Sequence, residues 1–122
     1  MKRKKEQGFT LVEVIVVAVI VAVLAAVAIP LYNGYVQDSR TNVCQNTAGE
    51  CAAALSAANA RGTVPAAGWL AGQTLTIPPD PNVVGSIANT IVIPPGFTLV
   101  GVGTGTVTVT GPNGATSSAV AY

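Results

Sequence analysis

Residues 9–29 form an apolar run with a single charge, the carboxylate of Glu13, and one weakly polar side chain, Thr10. As an α-helix rising about 1.5 Å per residue, this run spans about 31 Å and matches a bilayer core of about 30 Å. Aliphatic residues occur on every face, which excludes an amphipathic surface helix. A lone strand in lipid would leave its backbone groups unpaired, so the run is predicted to be a membrane-spanning helix.

The carboxylate of Glu13 is the unusual feature of this run. On insertion scales a charged side chain costs about 2.5–3.5 kcal/mol at the bilayer centre and less near the interface. A functional role for Glu13 is therefore expected.

Charge is distributed unevenly along the chain. Four of the six basic residues precede the run: Lys2, Arg3, Lys4 and Lys5. The positive-inside rule then places this basic leader in the cytoplasm and the rest of the chain outside. Behind the leader, two arginines stand against four acidic residues, a formal charge of −2. Two isolated arginines make a poor phosphate-binding surface, so no nucleic-acid binding is predicted.

An ordinary secretory signal peptide is one alternative for this start. Ala26-Val27-Ala28 resembles a small-residue cleavage site, which would leave Ile29 as the new N-terminus. The apolar run is longer than the usual h-region of about 7–15 residues, and Glu13 lies inside it; both features weigh against this alternative. Under it, the chain would be a small secreted or membrane-tethered binding domain.

The string Gly8-Phe9-Thr10-Leu11-Val12-Glu13, with the apolar run that continues it, resembles the class III signal of type IV pilins and type II secretion pseudopilins. The resemblance covers about the first 35 residues. It implies that a prepilin peptidase cleaves after Gly8, removes residues 1–8 as a leader and methylates the new amino group of Phe9. Glu13 and Pro30 match the family pattern as the fifth and twenty-second mature residues. The leader is short, as in type IVa pilins and pseudopilins.

Such processing would give Glu13 a partner. It creates an amine on Phe9, and positions i and i+4 share a helical face. A buried carboxylate needs a cationic partner, or its pKa shifts until it is neutral. The resemblance implies that the partner is the N-terminal amine of a neighbouring subunit, so that the pair sets register during assembly, the best-attested use of a buried ion pair. The alternatives are a pair within one subunit and a protonated Glu13 near the interface.

The helix is predicted to continue beyond the membrane segment 9–30 as an amphipathic part, 31–61. Pro30 removes one backbone donor and predicts a kink or local loosening, and the resemblance implies a helix break there in filaments. A stripe of small apolar residues at spacings of 4, 3, 4 and 3 predicts one face that packs on a sheet: Cys44, Ala48, Cys51, Leu55 and Ala58. Arg61-Gly62 predicts the end of this helix.

Cys44 and Cys51 leave two alternatives open. An exported location and an even count favour a disulfide. In an unbroken helix, however, residues seven apart lie about 10.5 Å from each other, whereas a disulfide needs Cα atoms within about 7 Å. A capping-box pattern at Thr47–Glu50 offers a helix restart. Either the helix is continuous and both thiols are reduced, or it is interrupted and they are bridged.

Residues 62–122 are rich in Gly, Pro, Thr and Val and are predicted to form a β-rich globular head. Three to five short antiparallel strands are expected, at 73–77, 90–93, 97–102, 106–110 and 117–122. Trp69 is expected to anchor the core, and Gly101–Gly105 to be a flexible hairpin connection. The predicted fold class is α+β, a long N-terminal helix packed on a small antiparallel sheet, as in pilins.

No pattern in the chain predicts catalysis. The sequence contains no His, so the commonest general base and the usual partner of a reactive Cys are both missing. Without His or a second Cys pair a zinc site is not expected, and Asp80 with Asn82 supplies too few oxygens for calcium. We therefore predict a protein that is not an enzyme and has no cofactor and no metal.

These features predict a structural pilin subunit that polymerises through its N-terminal helix. It would be stored in the bacterial inner membrane, N-terminus cytoplasmic and head periplasmic, and then join a helical filament that is extracellular or periplasmic. Its expected partners are copies of itself, other pilins, a prepilin peptidase and an inner-membrane assembly platform. The alternative within the family is a pseudopilin or minor pilin of a secretion or competence machine. Adhesion, motility, DNA uptake and secretion share this N-terminus, and the sequence favours none of them.

Overall fold

The computed structural model describes residues 8–122, apart from the side chain of Ala71. Of the predicted leader, only Gly8 lies within these residues. The chain divides into two compact units, Met1–Val36 and Gln37–Tyr122. One α-helix contributes to both units, and all the described strands belong to the second unit.

Helix α1 runs from Leu11 to Ala60. Gly62, with φ +80°, ends it in the left-handed conformation that glycine adopts at low cost. The Gly62 N–H donates to the Asn59 carbonyl at 2.9 Å, and the Thr63 N–H donates to the Ala58 carbonyl at 3.1 Å. This pair of bonds is the Schellman arrangement, which satisfies the last carbonyls of a helix. The predicted end of the helix is therefore confirmed.

The helix continues through Pro30 as a single element. The proline ring removes one backbone hydrogen bond, but the residues on both sides of it remain helical. The break that the resemblance implies belongs to an assembled filament and stays a prediction.

The apolar stripe on the second half of α1 forms one wall of the core. Its five members are all buried, with at most 1% of their surface exposed: Cys44, Ala48, Cys51, Leu55 and Ala58. Side chains from the strands and from the residues next to them cover this stripe: Leu75, Ile77, Ile93, Leu99, Val107 and Val109. Trp69 packs against the same cluster while partly buried. The predicted packing of the stripe on β-structure is confirmed.

The first sheet contains three antiparallel strands in the order β1-β2-β3, namely Leu70–Ala71, Thr74–Ile77 and Asn89–Val92. Leu75 and Ile77 of β2 are buried while Thr76 between them is exposed, as the alternating sequence predicts. Thr76 lies opposite Thr90 of β3. Strand β1 has only two residues, too few for a pattern of period two to reveal it.

The second sheet also contains three antiparallel strands, in the order β4-β5-β6: Thr98–Val100, Thr106–Thr110 and Val120–Ala121. Val107 and Val109 of β5 point into the core. Ser117 extends the pairing along β5, because its N–H donates to the Val109 carbonyl and its Oγ accepts from the Val109 N–H, both at 2.9 Å.

The α+β fold class is confirmed, with one difference in its β-part. The prediction was a single sheet of three to five strands, whereas residues 8–122 form two three-stranded sheets. Pro94-Pro95-Gly96 lies between β3 and β4, and proline cannot donate to a ladder. The chain therefore leaves the first sheet at this point and starts the second.

The connection of β4 to β5 is a hairpin, as predicted. It contains Gly101, Gly103 and Gly105, each with positive φ. At Gly101 a Cβ atom would meet the Thr106 carbonyl oxygen, so a side chain has no room there. The Tyr122 hydroxyl accepts from the Gly103 N–H and donates to the Gly101 carbonyl. Hydrogen bonds thus hold a segment that its glycines alone would predict to be flexible.

Candidate assembly site

Phe9 and Glu13 lie together at the N-terminal end of the described chain. With Val14 and Val17 they line an open groove of about 290 Å³. The Phe9 side chain is 82% exposed. The expectation that Phe9 and Glu13 share a face agrees with this placement, although α1 begins only at Leu11.

Thr10 positions Glu13 at the start of the helix. The Thr10 Oγ1 accepts a hydrogen bond from the Glu13 N–H at 3.3 Å. Thr10 is thus the N-cap and Glu13 the third helical residue, where a carboxylate interacts favourably with the positive end of the helix dipole. Our sequence reasoning missed this cap. The signal was present, because Thr-x-x-Glu before an apolar run is the capping-box pattern.

Within residues 8–36, Glu13 has no basic side chain near it in sequence. The basic residues among 8–122 are Arg40 and Arg61, and both belong to the second unit. The described part of the first unit therefore offers no side chain that could neutralise Glu13. A cation for this carboxylate has to come from a backbone amine, from the leader or from another molecule.

The helix in the first unit has no buried face. Every described side chain from Phe9 to Tyr35 is exposed except that of Ala25, which is partly buried. Within α1 the most apolar window of 18 residues has a mean hydropathy of 3.2, and none of it is buried. By length and composition this segment is able to cross a membrane. Tyr32 and Tyr35 are exposed near its end, where aromatic rings with a polar tip are favoured at a bilayer interface.

The two cysteines are not bridged. Both thiols are free and completely buried on the stripe of α1, which runs without interruption past Cys44 and Cys51. Of the two alternatives, the structure therefore has the continuous helix with reduced thiols. Burial raises the pKa of both thiols; for Cys51, burial and the neighbouring Glu50 charge raise the pKa to about 11. Raised pKa values are typical of inert core cysteines rather than of nucleophiles.

Residues 8–122 contain no cluster of three or more His, Cys, Asp or Glu side chains placed to hold a metal ion. Asp80 and Asn82 come together in a turn of their own: the Asp80 carboxylate accepts from the Asn82 N–H at 2.8 Å. One oxygen of this carboxylate is therefore used to shape the loop.

A family profile described as the prokaryotic N-terminal methylation motif matches residues 3–29. This range contains Gly8, Phe9 and Glu13, the three residues on which the resemblance depends.

Curated proteins are also similar to the chain. Fimbrial protein Q of Moraxella bovis is 38% identical over 72 residues, which cover 57% of this chain and 44% of that protein. The type IV major alpha-pilin of Moraxella bovis is 40% identical over 55 residues, or 45% of this chain and 33% of that protein. Fimbrial protein EcpC of Eikenella corrodens is 41% identical over 49 residues, or 40% and 32%.

The matched regions cover 32–44% of the length of these relatives, which is less than half of each. No solved structure matches the chain.

Proposed function

We propose that the chain is a structural subunit of a pilus-like filament. The methylation motif and the pilin relatives support this proposal, because both point to the type IV pilin family. The observation that carries the proposal is the N-terminal helix. It is apolar and exposed on all sides, yet it presents one carboxylate in a groove beside Phe9. A membrane can cover such a surface in the stored subunit, and other copies of the helix can cover it in a polymer.

Processing is the first step of the proposal. A prepilin peptidase cleaves after Gly8 and methylates the amine of Phe9. Gly8 is exposed, which leaves room for an enzyme to approach the bond. The basic leader stays in the cytoplasm, and the rest of the chain lies across and beyond the inner membrane.

Assembly is the second step. Removal of the leader creates a positive charge next to Glu13, in a part of the chain that has no basic side chain. The carboxylate of one subunit pairs with the Phe9 amine of a neighbour as the apolar helices pack. A mismatched register leaves Glu13 unpaired among apolar side chains, which costs several kcal/mol, so the pair selects one axial position.

The mature N-terminus tests this proposal. We expect mass spectrometry of the chain from its native membrane to find N-methylated Phe9, and a matched strain without prepilin peptidase to retain residues 1–8. Electron microscopy of the parent strain and of a strain lacking only this chain is expected to show filaments in the first and not in the second. A mature chain that begins at Ile29 would contradict the proposal and would favour a secreted or tethered binding domain.

A further inference from the structure

Strand β3 is an unprotected edge. Among residues 8–122 it pairs with β2 on one side and with no strand on the other. Such an edge presents unpaired backbone N–H and C=O groups, and proteins usually guard it with charges, proline or a bulge. Strand β3, Asn89-Thr90-Ile91-Val92, has none of these. The prolines that follow it, Pro94 and Pro95, lie beyond Ile93 and outside the strand. Thr90 is exposed, and Val92 is 69% exposed.

The loop before β3 exposes apolar side chains and is closed by a hydrogen bond. It exposes three aliphatic side chains, Val83, Val84 and Ile87, by 56%, 104% and 85%. The Asp80 N–H donates to the Ser86 Oγ at 2.8 Å, which closes the loop. Gly85, with φ +84°, allows the turn that brings Ser86 back. Because this hydrogen bond already restricts the loop, covering its apolar side chains costs less conformational entropy.

Charge limits what can cover this surface. Residues 62–122 contain one charged side chain, Asp80, whereas the other four charges of the second unit lie on α1 or directly after it: Asp38, Arg40, Glu50 and Arg61. A partner with charges opposite β3 would lose their hydration without gaining a counter-ion. A second copy of β3 brings no charge, and two identical strands in antiparallel orientation complement each other, as a twofold interface requires.

We propose that β3 pairs edge to edge with β3 of a second copy, so that two three-stranded sheets join into one antiparallel sheet of six strands. The loop with Val84 and Ile87 adds apolar contact beside the new strand pair. A twofold contact is isologous, whereas a helical filament grows by heterologous contacts. The β3 contact therefore links subunits of neighbouring filaments, a consequence that rests on the proposed function.

Two lysine variants of the full-length chain in detergent micelles test the pairing. Thr90→Lys places a charge on the edge strand. Thr76→Lys is the matched control, because Thr76 lies opposite Thr90 on the central strand β2 and is also exposed. Sedimentation measures the protein mass over a range of concentrations. We expect the wild type and Thr76→Lys to be dimers, and the mass to fall twofold in Thr90→Lys.

Retention of the dimer by Thr90→Lys would overturn the proposal, because another surface would then hold the copies together. A wild type that stays monomeric, or a dimer lost equally in both variants, would overturn it as well. Circular dichroism checks the fold, and Val92→Lys repeats the test at the second exposed β3 position if Thr90→Lys unfolds. The N-terminus is read in parallel: methylated Phe9 with a monomer contradicts only the β3 contact, and a dimer without methylation contradicts only the proposed function.

Discussion

Leu24 and Leu55 lie on the same helix, yet 64% of the surface of Leu24 is exposed whereas Leu55 is completely buried. Leu24 belongs to the first unit, which the sequence makes apolar on every face and whose described residues, 8–36, include no strand to cover it. Leu55 belongs to the second unit, where the apolar residues of α1 form a single stripe and two sheets cover them. Helix α1 thus has one part whose apolar side chains are buried when the chain folds. Its other part can be buried only by a membrane or by other molecules.

The energetic consequence differs between the two parts. Burying a leucine side chain contributes about 1.5–3 kcal/mol, and in the second unit folding itself yields this gain. In the first unit the same gain becomes available only on insertion into lipid or on packing against other chains. Substitutions in the first unit should therefore alter assembly, and substitutions in the second unit should alter folding.

The largest expected effect is on assembly. Glu13→Ala removes the carboxylate that we pair with a neighbouring amine, so cleavage after Gly8 should persist while filaments are lost. Glu50→Ala is the control, because Glu50 is an exposed carboxylate on the same helix in the second unit. Immunoblots of processed chain and electron microscopy of surface filaments provide the two readouts. Normal filaments from Glu13→Ala would remove the assigned role of this residue.

Leu55→Ala should destabilise the second unit by about 2–5 kcal/mol, because the side chain is fully buried and its removal leaves a cavity. Leu24→Ala, the same change at an exposed position of the first unit, should leave that stability unchanged. Urea unfolding followed by the fluorescence of Trp69, the only tryptophan, measures the second unit selectively. Equal effects of the two substitutions would break the distinction between the units.

Gly111→Ala should cost about 1–3 kcal/mol through overpacking. A Cβ atom there would lie 2.6 Å from Phe97 Cε1 and 3.2 Å from Cys44 Sγ. The φ of Gly111 is −117°, so the cost is steric and does not arise from the backbone. Gly49→Ala is the control: it lies in α1 with nothing within 4 Å and should stabilise by up to about 1 kcal/mol. The same urea experiment compares the two, and a stabilised Gly111→Ala would contradict the packing of β5 on α1.

The smallest expected effect is a pH dependence from Cys51. Burial raises its pKa to about 11 in the folded chain, from an ordinary thiol value of 9.0. A raised pKa means that this contribution to stability is complete below pH about 9 and is lost as pH rises towards 11. Urea midpoints measured across this range should fall less in Cys51→Ala than in the wild type. An identical fall of the urea midpoint in both proteins would contradict a contribution of Cys51 ionisation to this pH dependence.

The sequence predicted much of this molecule where a pattern was long enough. The spacing of the stripe identified its buried residues, and Arg61-Gly62 located the end of α1. Alternation located β2, because its four residues are enough for a pattern of period two. Strand β1 has two residues and carried no such pattern. The Thr10 cap has a four-residue signal of its own, Thr-x-x-Glu directly before the apolar residues.

At the candidate site, sequence reasoning selected Gly8, Phe9 and Glu13, and the structure brings Phe9 and Glu13 to one groove. Cys44 and Cys51 show the opposite situation. They lie seven positions apart, and the choice between a bridge and two free thiols depended on whether the helix continued. Local propensity does not decide this, because Thr47–Glu50 is able both to start a helix and to lie within one.

By itself, the sequence determined the apolar helix, its lone carboxylate and the buried stripe, because hydrophobic periodicity and the cost of a charge in lipid act on residues that are close along the chain. Only the tertiary structure decided that the described strands form two sheets and that α1 continues past the cysteines without a break. It also decided that the Tyr122 hydroxyl makes hydrogen bonds to the glycine-rich hairpin. These features depend on contacts between residues far apart in sequence. Such contacts are selected by how well the whole core packs, which no local pattern records.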